Sequence, residues 1–228
     1  MDKFSRHFLA KLQGSALRIK TMNITAEETK TVIEELTNDT KDMEYQVGQN
    51  AQLTLILIAK VSVEANVSVR LTGSRARADI YGFINGYDEQ VTKLHTLQHH
   101  EAPGTVSNLL VKSVLHNSSR FYYDGAIVVD KNAQKTDAYQ RNENLLVSLL
   151  AKAESKPALE ILANDVRCTH GATVAPISEE QRWYLESRGI SKQNATALII
   201  DGFMESAILK IPDTIAQENV RRILWRIS

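Results

Sequence analysis

From Met43 to about Leu162 the chain is a succession of short apolar runs: QLTLILIA, VSVRL, NLLVKSVL, RFYY, AIVV, NLLVSLL and PALEIL. Most are too short for a stable helix and rich in Val, Ile, Leu and Tyr, which is strand composition. Turn-forming residues punctuate them: Gly73, Asn85-Gly86, Asn117, Asp124-Gly125, Asp130-Lys131-Asn132, Asn142, Asn144 and Asn164-Asp165. Many short strands with almost no helix between them restrict the fold to a β-sandwich, a barrel or a β-solenoid. AIVV and NLLVSLL are apolar at consecutive positions, so neither separates a wet face from a dry one. Parallel sheets covered on both sides accommodate such runs, which favours the solenoid. The fixed six-residue repeat of left-handed β-helices is missing.

The two ends read differently. Phe4, Phe8 and Leu12 recur as on one face of a short helix. In TAEETKTVIEELTND, Thr25 and Glu28 have capping-box spacing while TVI suits a strand, so residues 1–42 form an N-terminal segment that reads either way. The β core is expected over 43–176. Beyond it, Ser178 and Gln181 form a capping box, and Gly189 ends that helix after Arg188. Ser191 caps a second helix carrying Ala195, Leu198, Ile199 and Phe203. Pro212-Asp213 opens a third, with Ala216, Val220, Ile223, Leu224 and Ile227 on one stripe. Arg221, Arg222 and Arg226 fall in its last turns, where the helix dipole favours cations. Residues 177–228 are therefore a helical subdomain, and the chain is mainly β with α.

Of the 228 residues 43% are hydrophobic and 24% charged, enough for one sizeable core. Lys+Arg and Asp+Glu number 27 each, so the basic excess of a general polyanion binder is absent and nucleic acid is not expected. One cysteine rules out an internal disulfide and suits a reducing, cytoplasmic setting. The start, MDKFSRHFLAKLQG, is too charged for a secretory signal. The run within LTLILIA is far short of the about 20 residues that span a bilayer, so no membrane is expected.

The chemistry-bearing candidates are few. Cys168 and His170, two apart, project to one face if their segment is a strand, and a thiolate beside an imidazole suits iron or zinc. Lone cysteines are more often buried and inert, so spacing leaves ligand pair and structural thiol both open. His95, His99, His100 and His116 are dense but lack the His-Glu-x-x-His spacing, and they read as surface histidines flanking a turn at Pro103-Gly104. No Gly-x-Ser-x-Gly elbow, phosphate loop or dinucleotide fingerprint occurs, so no nucleotide site is expected. TGSRARADIYG reads as strand-turn-strand.

KPALEILANDVRCTHGATVAPISEEQRWYLESRGIS resembles the C-terminal core of the SufB/SufD family, the scaffold proteins of the SUF iron–sulfur cluster assembly system. The likeness rests on Lys-Pro-x-Leu-Glu-Ile, the Cys-x-His-Gly-Ala-Thr run, an acidic helix start and Tyr-Leu-x-Ser-Arg-Gly-Ile. Upstream, YYDGAIVVDKNAQKTDAYQRNENLLVS is similar to the preceding segment, and His100, Ser107 and Lys112 are similar to a His…Ser…Lys pattern. The resemblance covers about residues 43–228. Cys-Thr-His-Gly-Ala-Thr looks like the SufD branch: Gly171 stands where the SufB branch has a glutamate, and the upstream cysteine implicated there in receiving sulfur is absent.

The resemblance implies a right-handed parallel β-helix core followed by a C-terminal helical subdomain. It implies a non-enzymatic scaffold that builds or hands on transient iron–sulfur clusters at a subunit interface. His170 carries over as a participant in cluster formation, with Cys168 as its neighbour. The implied partners are a SufC-like ABC ATPase, docked on the C-terminal helices, and a SufB-like scaffold subunit or a second copy of this chain in a dimer. ATP would be hydrolysed by the partner. Two other readings stand beside it: a scaffold without cluster ligands, and a β-solenoid enzyme of acyltransferase type using His100 or His170 as a base.

Overall fold

The computed structural model describes residues 19–39 and 42–225. Strands alternate between two parallel six-stranded sheets. The first sheet holds β1 (Lys20–Ile24), β3 (Asp42–Val47), β5 (Val63–Leu71), β7 (Val91–His100), β9 (Arg120–Val129) and β11 (Lys152–Ile161). The second holds β2 (Thr29–Leu36), β4 (Gln52–Ala59), β6 (Arg77–Gly86), β8 (Val106–Leu115), β10 (Thr136–Leu146) and β12 (Val166–Pro176). Each strand crosses to the opposite sheet, so the chain winds into the expected parallel β-solenoid. Gln52 pairs with Arg77, Arg77 with Val106, and Val106 with Asp137. The coil lengthens along the chain, so no short repeat of constant period could appear in the sequence.

β4 shows why the apolar runs are continuous. Leu53, Leu55 and Leu57 point between the sheets, while Ile56 and Ile58 pack outward beneath the helices. Both faces are dry, so both carry aliphatic residues. Each such buried side chain stabilises the fold by about 1.5–3 kcal/mol relative to exposure.

The sheets already begin at Lys20. Thr25 and Glu28 do meet, but not as a capping box: Glu28 Oε2 accepts from both the Thr25 amide (2.8 Å) and the Thr25 hydroxyl (2.9 Å). This contact closes the turn into β2 rather than a helix, because Glu27 adopts a left-handed φ of 64° and TVIEEL pairs along β4. The expected Phe4–Phe8–Leu12 helix lies outside the described residues, as do Arg226 and Ile227.

Several turn assignments fail. Asn85-Gly86 is the buried end of β6, and the chain turns only beyond it, where Asp88 has a φ of 51°. Asp124-Gly125 lies mid-strand, so RFYY and AIVV form one strand, β9. The glycine is there for space: a Cβ would come within 2.3 Å of Gln140 Nε2 and 2.4 Å of Tyr123 Oη. Asn142 and Asn144 are likewise buried within β10. Conversely NLLVSLL does not continue as a strand, since β10 stops at Leu146 and Leu149 is fully exposed.

Three helices follow the last strand: α1 (Glu179–Ser187), α2 (Lys192–Ile208) and α3 (Thr214–Leu224). Their starts follow the sequence reading. Ser178 accepts from the Gln181 amide, Ser191 from that of Asn194, and Asp213 from those of Ile215 and Ala216. Gly189, at φ 87°, turns the chain out of α1. Ile200, Met204, Ala207 and Ile208 of α2, with Ala216, Val220 and Leu224 of α3, cover the outer face of the second sheet. Among the described residues no helix is long and apolar enough to cross a membrane.

Candidate functional site

Cys168 and His170 both lie on β12, the edge strand of the second sheet. Cys168 pairs with Ala138 and His170 with Gln140, and both β10 residues are buried between the sheets. Neighbours in a parallel ladder share a face, so the thiol and the imidazole leave the same, inward side. Because β12 ends the sheet, that inward side is only partly covered. Cys168 is half-buried against Ile127, Val129 and Ala138, while His170 is exposed. Across from them β11 is half-buried at best, in contrast to the buried strands upstream. The pair therefore sits at the open end of the solenoid interior.

Burial pushes the Cys168 thiol above its ordinary pKa, and the Asp137 carboxylate pushes it further, against a smaller opposing effect of the Ala138 backbone. At neutral pH the sulfur is held as a thiol, so it would become a thiolate only with a cation beside it. Asp137 itself is held below the usual carboxylate range by the Arg167 guanidinium on the outer face. Among the described residues no three His, Cys, Asp or Glu side chains converge to hold a metal ion. Cys168 and His170 supply two donors of the soft and borderline kind that suits iron.

The other histidines are not surface residues flanking a turn. β7 carries three of them, and its alternation sends His95 outward and His100 inward. His100 is 0% exposed, with Nδ1 2.8 Å from Thr105 Oγ1 and Nε2 2.8 Å from Ser107 Oγ. Burial, with His99 beside it, lowers its pKa to about 3, so it is neutral. A substrate has no route to such a ring. His95 packs on the outer face, its Nδ1 3.0 Å from Asp124 Oδ2. The His…Ser…Lys pattern divides across β8. Ser107 faces inward, whereas Lys112 faces the helices and donates to the Phe203 carbonyl (2.8 Å) and Ser206 Oγ (2.7 Å).

On the outer face of the second sheet, beside the C-terminal ends of β10 and β12, α1 and α2 border an open groove of about 1060 Å³. It is lined by Leu145, Trp183, Tyr184, Leu198 and Phe203 among others. α1 buries none of its residues, and Trp183 is 69% exposed.

The family model for the SUF system FeS cluster assembly SufBD core domain matches residues 17–203. The chain belongs to the SufB/SufD family, on its SufD side. It is 37% identical over 147 residues to the iron–sulfur cluster assembly protein SufD of Escherichia coli, covering 64% of this chain and 35% of that protein. An iron–sulfur cluster assembly SufBD family protein of Synechocystis is 33% identical over 133 residues, 58% of this chain and 29% of its own length. Plasmodium falciparum SufD is 25% identical over 181 residues, 78% of this chain and 12% of its own. The chain thus spans about a third or less of these SufB/SufD relatives.

One residue beside His170 escaped sequence reading. Gln140, in register with His170, is 1% exposed. A glutamine between alternating polar residues reads as solvent-facing, and only the register to β12 reveals its place.

Proposed function

We propose that this chain is a SufD-like scaffold subunit that helps to build or hand on nascent iron–sulfur clusters at a subunit interface. The cluster is its cargo, and the chain itself is not an enzyme. The observation that carries the reading is the shared inward face of Cys168 and His170 on an edge strand. Two ligands do not complete an iron site, so further donors would come from the chain docked against that end. A SufB-like subunit or a second copy of this chain would supply them; in a homodimer, two Cys168–His170 pairs would meet across a two-fold axis.

Residues 177–228 are the proposed docking subdomain for a SufC-like ABC ATPase. The groove beside Trp183 and Tyr184 supports this, since an apolar surface of that kind is what a partner helix or loop covers. The partner would hydrolyse ATP, and helix movement would reach the sheet through Lys112. A reducing, cytoplasmic setting suits the single thiol.

Anaerobic incubation of the full chain with ferrous iron and sulfide tests ligation. Wild type should develop visible charge-transfer absorbance, and Cys168→Ser and His170→Ala should lose most of it. Unchanged spectra in both variants remove these residues from the site. Co-purification with a SufC-like ATPase, weakened by Trp183→Ser, tests the docking face.

A further inference from the structure

We propose that Gln140 is a positioning residue for His170. Its side-chain carbonyl accepts the imidazole N–H while the other ring nitrogen engages iron. The proposal rests on the assignment of His170 as an iron ligand.

The interior of the last coils is polar, and most of that polarity is internally satisfied. Asn144 Nδ2 donates to Asn142 Oδ1 (2.7 Å) and to the Thr173 carbonyl (3.0 Å). Ser113 Oγ donates to Asn144 Oδ1 (2.7 Å), and Asn142 Nδ2 to the Val111 carbonyl (3.2 Å). The Ser155 hydroxyl completes the set on Asn142 Oδ1. Gln140 stands outside this network. It is 1% exposed, and its Oε1 has no hydrogen-bond partner among the described residues. A buried amide oxygen without a donor is rare in a folded chain and calls for a physical reason.

Two features of the fold supply one. Gly125 lies across the interior from Gln140, and any side chain there would strike the amide nitrogen at 2.3 Å. The glycine therefore keeps the amide's place open. Beside Gln140 on the other side is His170, its register partner on the edge strand. Gln98 Oε1 is also unpaired, but its amide is engaged by Ser107 Oγ at 2.7 Å and its register partner is Ile127, away from β12. A metal-bound histidine almost always passes its second ring N–H to a carbonyl, carboxylate or water, which fixes tautomer and ring plane. Gln140 Oε1 is the buried acceptor placed for that task.

The test compares wild type, Gln140→Met, Gln140→Glu and His170→Ala as full chains, loaded anaerobically with ferrous iron and sulfide. The expected result is that Gln140→Met keeps its thermal midpoint but loses iron to a competing chelator with affinity about 10- to 100-fold weaker, and shifts the visible band. Gln140→Glu, which retains an acceptor at that reach, should keep the wild-type spectrum. If Gln140→Met does not fold, Gln140→Asn, which shortens the amide, is read in its place with the same expectation. Wild-type iron retention and spectrum in the Gln140 variants, with His170→Ala still losing iron, overturn the proposal alone. An unaltered His170→Ala overturns it together with the ligand assignment.

Discussion

Lys112 Nζ lies 2.9 Å from Glu143 Oε2, beneath α2 and between adjacent strands of the second sheet. The ammonium also rests 4.0 Å from the centre of the Phe203 ring. Burial alone would raise the Glu143 pKa, but the bond and charge of Lys112, with Arg141 beside it, hold it below the usual carboxylate range. One lysine thus ties the helical layer to the strand that adjoins β12.

Removing Lys112 leaves Glu143 half-buried with Arg141, 2.5 Å away, as its remaining counter-ion. Lys112→Met should lower unfolding free energy in urea by about 1–3 kcal/mol. Adding Glu143→Leu should recover most of that loss, since a buried ion pair often has little net advantage over an apolar one. Strictly additive losses in the double variant would show that the two do not act as a pair.

Gly125→Ala places a methyl where Gln140 and Tyr123 already sit. The expected cost is about 1–3 kcal/mol from overpacking. Shortening Gln140 to Ala in the same chain should relieve part of it, because the nearest obstruction is the amide. A Gly125→Ala chain as stable as wild type in thermal unfolding would contradict the packing described.

His100 gives a pH signature. Its folded pKa, about 3, lies below the unfolded value of about 6.5, so the unfolded chain binds the extra proton as pH falls. This contribution to stability is intact above about pH 6.5 and declines continuously toward pH 3. By pH 5 the loss from this group is about 2 kcal/mol. His100→Gln should flatten that part of the profile in urea titrations at stepped pH. An identical slope in the variant would show that another group is responsible.

Ser178→Ala removes the acceptor for the Gln181 amide at the start of α1. The local cost is about 0.5–2 kcal/mol. Because α1 buries no residue, the effect should appear as faster amide exchange over residues 179–187 with little change in the global midpoint.

Much of this architecture was legible in the chain. QLTLILIA and NLLVKSVL are strands because both faces are covered, and Ser178, Ser191 and Asp213 begin helices where their side chains meet free amides. The failures share a cause. Asp124-Gly125 has turn composition, yet inside a solenoid a glycine also serves to admit a side chain from the opposite sheet. His100, Asn142 and Gln140 look like surface residues, yet they face the interior. Asn142 donates to a carbonyl 31 positions away, and Gln140 is in register with a residue 30 positions on, beyond any local pattern. Cys168 and His170 were singled out by their spacing, but that Gln140 lies beside His170 follows only from the register of β10 on β12.

The central proposal is that the His170 imidazole binds iron at the open end of the solenoid. Pulsed electron paramagnetic resonance of the reduced, iron-loaded protein reads that bond directly. Wild type should show a strongly coupled histidine nitrogen that disappears in His170→Ala. The same nitrogen coupling persisting in His170→Ala, or its absence from wild type, would contradict the account.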